Sequence, residues 1–293
     1  MKIDIKKYTP EDKPEWNNFI SQTYNATFLH NRNYMDYHQE RFQDSSLMLY
    51  KNGRLTALLP AHIKDNELFS HNGLTYGDLL MSKKAKTGLK MELLEALLNY
   101  LNEKGITSWN IKAIPSFFHQ VSDESLAYLY SQKGAIIEKN LAFFLVDKAN
   151  YHLNKNRQRN IRKATEGNDL RISYEKDNLK EYWHIVEENL RLNHQSKPVH
   201  NFSEMQYLMK QFPENIQLAT IFNEKKMLGG VILYQINGCL HFQYINSIVD
   251  ESARNSIDYL VNEIIKKNID KYTAISFGTA ENKDRQINKE LVY

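Results

Sequence analysis

Cysteine is almost absent from this chain of 293 residues, which contains only Cys239. A single cysteine forms no disulfide within the chain, and Cys239 lies in the apolar run GCLHFQYI, as a small core residue would. The sequence also lacks any apolar run as long as a membrane span, and its N-terminus MKIDIKKYTPEDK has no apolar signal-peptide core. We therefore expect a cytoplasmic protein without a membrane span.

Motifs for metals and nucleotides are missing as well. The ten histidines have no cysteine or carboxylate partners at ligand spacing, so the sequence predicts no metal site. A P-loop, a G-x-G-x-x-G segment after a strand and a G-x-S-x-G elbow are all absent. The balance of 38 Lys and Arg against 35 Asp and Glu favours no particular partner. We expect no metal, no resident cofactor and no DNA partner.

What the sequence does contain is an internal repeat. The segments SLMLYKNGRLTALLPAHI (46–63) and QLATIFNEKKMLGGVILYQI (217–236) share one plan of a short strand, a polar turn and a longer strand. Asn52-Gly53 predicts a hairpin turn in the first copy, and Asn237-Gly238 predicts a further hairpin in the second. The length and a hydrophobic content of 42% suit two packed domains.

Helical segments flank both copies at matching positions. An apolar helical face precedes each copy, and an apolar helical stripe and a short strand follow each. The preceding faces comprise Trp16, Phe19, Ile20 and Thr23 in one half and Leu179, Tyr182, Trp183, Val186 and Leu190 in the other. Both halves thus predict helix, loop, helix, two or three antiparallel strands, helix, strand. The offset of about 170 residues favours duplication over coincidence.

The boundary between the halves is predicted where the strand LAFFLV gives way to polar residues, near VDKANYH (146–152). This places one domain at 1–147 and a second at 148–293. Each is predicted to be α+β, with a mixed, mostly antiparallel sheet flanked by helices.

The order of elements and several segments resemble a tandem pair of GNAT acyltransferase units, as in the FemABX group of peptidoglycan-bridge aminoacyltransferases and their GNAT-like relatives. The segments that carry the resemblance are LLPAHI, SHNGLTYGDLL, NRQRNIRKATEGN, KPVHNFSEM, LGGVILY and FGTAEN, spread along nearly the whole chain. The resemblance implies direct attack of an acceptor amine on an acyl ester or thioester, without a covalent enzyme intermediate.

Two features depart from the family pattern. The Gly-rich pyrophosphate loop of ordinary GNAT enzymes, Q/R-x-x-G-x-G/A before a helix, is absent from both halves, which disfavours CoA and favours a larger donor such as aminoacyl-tRNA. Relatives also commonly continue with a lysine and a Phe-Gly beyond the point that corresponds to Tyr293, so we expect the second unit to be incomplete at its C-terminus.

The stretch FSHNGLTYGDLLM (69–81) is the candidate ligand-binding strand of the first unit. The resemblance puts it at the fourth strand, where the acyl donor and acceptor meet in a GNAT unit. Two glycines, Gly73 and Gly77, would let a ligand approach the backbone, and His71, Tyr76 and Asp78 would supply polar anchors. A β-bulge with satisfied polar residues is the alternative. The lysines of SKKAKTG (82–88) would favour phosphate at a helix N-terminus, or form a solvated loop.

Further candidate residues are a pair of histidines related by the repeat and a group of polar residues in the second unit. His30 and His200 each follow the first helix of their unit, in the loop that lines the acceptor cleft of GNAT folds, and a histidine there can accept an amine proton. Gln243, Tyr244 and Asn246 would form one polar wall of a cleft or a half-buried strand. The turn Gly278, Thr279, Ala280 and Glu281 could bind a carboxylate or carbonyl. We predict that His200 and Tyr244 are catalytic. The predicted substrate-binding residues are His30, His71, Tyr76, Asp78, Arg157, Gln243, Asn246, Gly278 and Thr279.

The basic helix after the boundary has two faces. Lys155, Arg159, Arg162 and Lys163 form one stripe, predicted as a solvated surface, with an interface for RNA or an anionic substrate as the alternative. Arg157 falls on the opposite, apolar side, where a guanidinium needs an anionic or carbonyl partner. We expect it either to bind an anionic ligand group or to form a structural ion pair.

Taken together, the sequence predicts an N-acyltransferase that moves an aminoacyl or acyl group to an amine of a cell-envelope precursor or related metabolite. The expected partners are a phosphate-bearing acceptor and possibly tRNA. The alternatives are an acyl-CoA-dependent GNAT N-acyltransferase and a catalytically degenerate GNAT-fold binding protein.

Overall fold

The structure, a computed structural model, describes residues 2–38, 42–137, 142–146, 149 and 151–279. The chain divides into two compact units, Met1–Glu138 and Lys139–Tyr293. This division falls earlier in the chain than the predicted boundary at 147–148. Each unit is α+β with mostly antiparallel strands, which confirms the predicted fold class. None of the helices described here combines the length and the apolar character needed to cross a bilayer.

The first unit contains two small sheets. One has the order β1-β2-β3-β6 and the other β4-β5-β7, in which only β5 and β7 run parallel. Its elements are β1 (Ile3–Lys7), α1 (Lys13–Ile20), α2 (Arg32–Met35), β2 (Leu47–Lys51), β3 (Arg54–Leu59), β4 (His62–Lys64), β5 (Glu67–Phe69), β6 (Leu80–Met81), α3 (Thr87–Glu103), β7 (Ser108–Asn110) and α4 (Ser125–Ser131).

The first core lies between the β1-β2-β3-β6 sheet and α3. Leu49 and Ala57 of the central hairpin pack with Leu93 and Leu97 of α3, and all four are fully buried. The hairpin turns at Asn52 and Gly53, whose φ angles of 51° and 74° are those of the predicted turn. A local sequence signal therefore sets the register of this sheet.

The described residues of the second unit form one sheet of six strands, in the order β8-β13-β12-β11-β10-β9. Only β12 and β13 run parallel. Its elements are β8 (Ala142–Leu145), α5 (Lys155–Thr165), β9 (Leu170–Ser173), α6 (Leu179–His194), α7 (Phe202–Gln211), β10 (Ile216–Asn223), β11 (Lys226–Ile236), β12 (Cys239–Ser247), α8 (Glu251–Asn268) and β13 (Ala274–Thr279).

Helices cover both faces of the second sheet. Val231, Leu233 and Leu240 pack against Leu260 and Ile264 of α8 on one face. The other face carries α6. The strand β8, which the sequence analysis assigned to the end of the first domain, pairs with β13 and so belongs to this second sheet.

Two adjacent glycines of β11 allow the helices to approach the sheet closely. A Cβ on Gly229 would lie 2.8 Å from Ile257 Cδ1 of α8, and one on Gly230 would lie 3.0 Å from Tyr182 Cδ2 of α6. The two residues therefore mark the two faces of the sheet, which we call the α8 face and the α6 face.

The repeat is present in the structure, with one difference in helix length. In both units a helix, a second helix, an antiparallel hairpin, a long helix and a strand follow in the same order. Yet α1 has eight residues and α6 has sixteen. In the first unit the chain leaves the helix at Ile20, whereas in the second the helix continues for two further turns.

Candidate active site

In the second unit the sheet opens at one point, between β12 and β13. The parallel pairing runs from Cys239 opposite Ala274 to His241 opposite Ser276 and ends there. Beyond it, β12 continues to Ser247 along β11, while Gly278 and Thr279 of β13 pair with β8. We call this opening the fork. Separating strands expose backbone groups and side chains of both, so the fork is a natural place for a ligand.

A bulge on each strand accompanies the fork. On β12, Ile232 pairs with Tyr244 and Leu233 with Phe242, so Gln243 has no partner on β11. On β13 the register with β8 shifts between Ser276 and Gly278. The bulge on β12 redirects side chains. It places Gln243 and Tyr244, although adjacent, on the α6 face together.

The two predicted catalytic residues meet beside this bulge. His200 Nδ1 lies 2.8 Å from the Tyr244 hydroxyl oxygen, a hydrogen-bond distance. His200 is buried and precedes α7, where Asn201 caps the helix by accepting the Glu204 N–H at 2.9 Å. Trp183 of α6 packs edge-on against the Tyr244 ring, with centroids 5.3 Å apart. The cap and the tryptophan hold the histidine and tyrosine in one arrangement.

A second histidine, His241, joins the strands at the fork itself. Its Nδ1 lies 3.1 Å from Ser276 Oγ, which also accepts the Gly278 N–H at 3.4 Å. Burial lowers the pKa of His241 to about 4, so the ring is neutral at physiological pH. The Gln243 side chain and the Ser276 backbone are both near enough to the His241 ring to act on its pKa as hydrogen-bond acceptors, and both raise it. On the α8 face the rings of Phe242 and Phe277 stack 5.0 Å apart.

Other predicted residues of the second unit lie along the same strands. Asn246 pairs with Gly230, which puts it on the α6 face, next to Tyr182. Gly278 has a φ of +79° and borders the His241 ring, since a Cβ there would lie 3.7 Å from Cε1. Thr279 is exposed at the end of β13, and Ala280 and Glu281 lie outside the described residues. The predictions for Gln243, Tyr244, Asn246 and Gly278 therefore converge on one strand pair.

The first unit repeats part of this arrangement, but there the histidine, His30, is fully buried. His30 also precedes a helix whose cap is an asparagine, and Trp16 donates its indole N–H to the His30 carbonyl at 2.9 Å. Its Nδ1 accepts the Thr27 N–H at 2.9 Å. The side chain is fully buried, and burial lowers its pKa to about 4. The Tyr76 ring lies 5.8 Å away.

The chain itself covers the edge of β6 that corresponds to the fork. After α1 ends, Tyr24 donates its N–H to the Met81 carbonyl at 3.0 Å. Asn25 then uses its side chain as a strand would: Nδ2 donates to the Leu79 carbonyl at 3.0 Å and Oδ1 accepts the Met81 N–H at 3.1 Å. In the second unit the helix α6 continues to His194, so it is about two turns longer than α1.

The stretch 69–81 is a loop over most of its length, where the sequence predicted a strand. Within this stretch only Phe69 and Leu80–Met81 lie in strands. His71 has a φ of +35°, which is outside the extended conformation of a strand. His71 and Tyr76 are buried, and a Cβ on Gly77 would lie 3.0 Å from the Ser70 carbonyl oxygen. The sequence predicted that a ligand would come close to the backbone at Gly77, and in the structure the backbone of Ser70 makes that close approach.

Asp78 lies at the end of this loop and is engaged by three protein donors. Tyr130 Oη donates to its Oδ1 at 2.5 Å, the Leu79 N–H donates at 2.7 Å, and the Ile114 N–H reaches Oδ2 at 3.5 Å. Burial nevertheless raises the pKa of Asp78 to about 6. The hydrogen bonds of this carboxyl group are therefore made by the protein itself.

Arg157 is exposed, whereas the helical pattern predicted that it faces the core. Its guanidinium pairs with Asp258 of α8, to which Asn160 also donates at 2.8 Å. The structure therefore contains the ion pair that was the alternative to ligand binding. Helical periodicity failed because α5 packs on α8 with Arg157 at the edge of the contact, where its guanidinium reaches Asp258 and stays open to solvent.

Three residues of the site escaped the sequence analysis: Trp183, His241 and Ser276. Trp183 was assigned only to a helical face, and His241 only to the apolar run around Cys239. A comparison of Trp183 with Trp16 across the repeat would have been the available signal for the first. The described residues contain no cluster of three or more His, Cys, Asp or Glu side chains suited to a metal.

No protein-family model matches the chain, and no curated protein matches it in sequence. Solved structures do match. FemX superimposes with a TM-score of 0.61 at 10% identity, covering 99% of this chain and 92% of FemX. L-PGS from Bacillus licheniformis gives 0.53 at 14% identity, covering 96% and 79%.

A tandem GNAT protein from the clavulanic acid biosynthesis pathway, solved without AcCoA, gives a TM-score of 0.51 at 11% identity, covering 99% of this chain and 92% of that protein. These likenesses extend along the whole chain. The fold is a tandem pair of GNAT units, similar to FemX, as the sequence resemblance implied.

Proposed function

We propose that this tandem GNAT-fold protein is an N-acyltransferase whose reaction takes place at the fork of the second unit. The observation that carries the proposal is the 2.8 Å contact between His200 and Tyr244 beside the bulge at Gln243. A proton acceptor and a hydroxyl on rigid elements next to an opened strand pair suit a reaction that moves a proton while an acyl group is transferred.

The chemistry follows from these groups. The lone pair of an acceptor amine attacks the acyl carbonyl carbon, and the carbonyl electrons move to oxygen. His200 takes up the proton that the amine loses, directly or through the Tyr244 hydroxyl. The carbon–oxygen or carbon–sulfur bond to the leaving group then breaks, the leaving group receives a proton from Tyr244, and Tyr244 regains a proton from His200 across their 2.8 Å contact. No covalent enzyme intermediate is required, and alignment of the reactants supplies much of the rate.

The donor is proposed to be an aminoacyl ester on RNA, because the pyrophosphate loop of CoA-dependent GNAT enzymes is missing. The acceptor is proposed to be an amine of a cell-envelope precursor. For the first unit, contact of His71, Tyr76 and Asp78 with that acceptor stays a prediction, and it requires the buried loop to open. The anionic-ligand role of Arg157 and the binding roles of His30, Asn246 and Thr279 also stay predictions.

A transfer assay tests the proposal. The donors are acetyl-CoA and an alanyl-RNA hairpin, and the acceptor is a lysine-containing peptidoglycan-precursor pentapeptide. Transfer from the RNA that falls on the order of 10²-fold or more in His200→Gln and Tyr244→Phe would support it. Transfer from acetyl-CoA alone would select the CoA-dependent alternative. No transfer from either donor, with no thermal shift by CoA or the hairpin, would favour a degenerate binding protein.

A further inference from the structure

The fork holds a polar group that the proposed reaction does not yet use, the side-chain amide of Gln243. It is the unpaired residue of the β12 bulge, and it shares the α6 face with His241 and Tyr244. An amide can present either its carbonyl oxygen or its NH₂ group, and the two ends serve opposite purposes toward a substrate. Which end faces the fork therefore depends on what holds the other end.

Contacts at the fork bear on this orientation. Ser276 Oγ accepts the Gly278 N–H at 3.4 Å and lies 3.1 Å from His241 Nδ1, to which its hydroxyl hydrogen can donate. A neutral imidazole with an accepting Nδ1 carries its proton on Nε2. In that tautomer Nε2–H would donate to the side-chain carbonyl oxygen of Gln243, and the amide NH₂ would be directed away from His241.

Side-chain contacts join the strands around this group on both faces of the sheet. The His241–Ser276 contact ties β12 to β13 on the α6 face, and the stacked rings of Phe242 and Phe277 tie them on the α8 face. Because Tyr244 follows Gln243 directly, the amide lies next to the proposed proton-transfer pair.

We propose that His241 is a positioning residue that orients Gln243, so that the Gln243 NH₂ group donates a hydrogen bond to the carbonyl oxygen of the transferred acyl group. This inference rests on the proposed acyl transfer. Negative charge develops on that oxygen when the amine attacks, and a donor held in advance stabilises the transition state more than the ground state. Gln243 is the group in contact with the substrate, and His241 acts through it.

Kinetics with the alanyl-RNA donor provide the first test. Gln243→Leu removes the donor and His241→Phe removes its support, and each should lower kcat on the order of 10²-fold with KM nearly unchanged. The double variant should be no slower than the slower single variant, because both changes remove one interaction. His184→Phe, on the exposed side of α6, is the matched control and should be unaffected. Additive losses, or a normal kcat in His241→Phe, would overturn the inference.

A second readout needs no activity. In ¹⁵N spectra of the ligand-free protein, His241 should be the Nε2–H tautomer, and the Gln243 side-chain NH₂ signal, assigned by its loss in Gln243→Leu, should shift in His241→Phe. Ser276→Ala keeps the histidine and should weaken the tautomer preference. An Nδ1–H tautomer, or an unmoved amide signal, would refute the positioning role. A protein with these spectra but no transfer from either donor would instead refute the proposed function.

Discussion

Asn25 lies alongside β6 and accepts the backbone N–H of Met81 on its side-chain oxygen at 3.1 Å. The same amide donates to the Leu79 carbonyl, so one side chain takes the place of a neighbouring strand. The corresponding position in the second unit is the fork, where α6 continues instead of turning into the sheet edge. The two copies of one fold thus differ in helix length, and in the first unit the shorter helix lets the residues that follow it cover the sheet edge.

Removal of the Asn25 amide should destabilise the first unit. Asn25→Ala leaves the Leu79 carbonyl and the Met81 N–H buried without these partners, which should lower the free energy of unfolding by roughly 2 kcal/mol or more. Urea denaturation measures the change. Asn18→Ala, at an exposed position of α1, is the control and should change stability little. Equal stabilities of the two variants would show that Asn25 does not act as a strand.

The two repeat histidines should respond differently to the same substitution. His200→Gln should reduce transfer strongly and stability little, since His200 faces the Tyr244 hydroxyl. His30→Gln should reduce stability, since His30 is fully buried and accepts the Thr27 N–H, while the folded variant keeps the kcat of transfer. Thermal unfolding and turnover, measured on both proteins, separate the two effects. A lowered kcat in a folded His30 variant would contradict proton transfer by the second unit alone, whereas a raised KM for the acceptor would fit the predicted binding role of His30.

The stability of the protein should carry a pH dependence from Asp78. Burial raises the pKa of its carboxyl to about 6, above the ordinary value of 3.8. The folded state therefore binds the proton more tightly, and this contribution is complete below pH 4 and is lost as the pH rises through about 6. A shift of about two pKa units corresponds to about 3 kcal/mol.

Asp78→Asn cannot titrate, so the stability of wild type relative to this variant should fall by up to that amount between pH 4 and pH 8. Denaturation curves across this range give the comparison. Asp12 supplies a control of opposite sign, because hydrogen bonds from Lys6 and Thr9 outweigh burial and lower the pKa of its carboxyl. Its stabilisation is present above the ordinary pKa and is lost as the pH falls. A flat difference for Asp78→Asn would rule out the raised pKa.

Close packing at Gly230 should make this position intolerant of a methyl group. In Gly230→Ala the new Cβ would lie 2.7 Å from the Ala219 carbonyl oxygen and 3.0 Å from Tyr182, so the free energy of unfolding should fall by about 1–3 kcal/mol. Gly88→Ala is the matched control. No atom lies within 4 Å of the added Cβ in α3, and stability should rise by about 0.5–1 kcal/mol. Thermal denaturation of both variants decides the comparison.

The sequence by itself determined the repeat, the order of elements and the hairpin turns. Asn52-Gly53 and Asn237-Gly238 adopt positive φ angles, as their residue types indicate, because a turn is decided by neighbours in the chain. The same periodicities located the long helices. The repeat also indicated His200 as a site residue, and the alternation of polar residues along β12 indicated Gln243 and Tyr244.

Only the tertiary structure decided how these residues meet. The bulge that brings Gln243 beside Tyr244 arises from register with β11, and the His241–Ser276 contact joins strands separated by a helix. Likewise, Arg157 lies at the surface because of where α5 rests on α8, and α1 ends early where Asn25 finds its partners on β6. Each of these outcomes depends on contacts between residues far apart in the chain, which local sequence patterns do not encode.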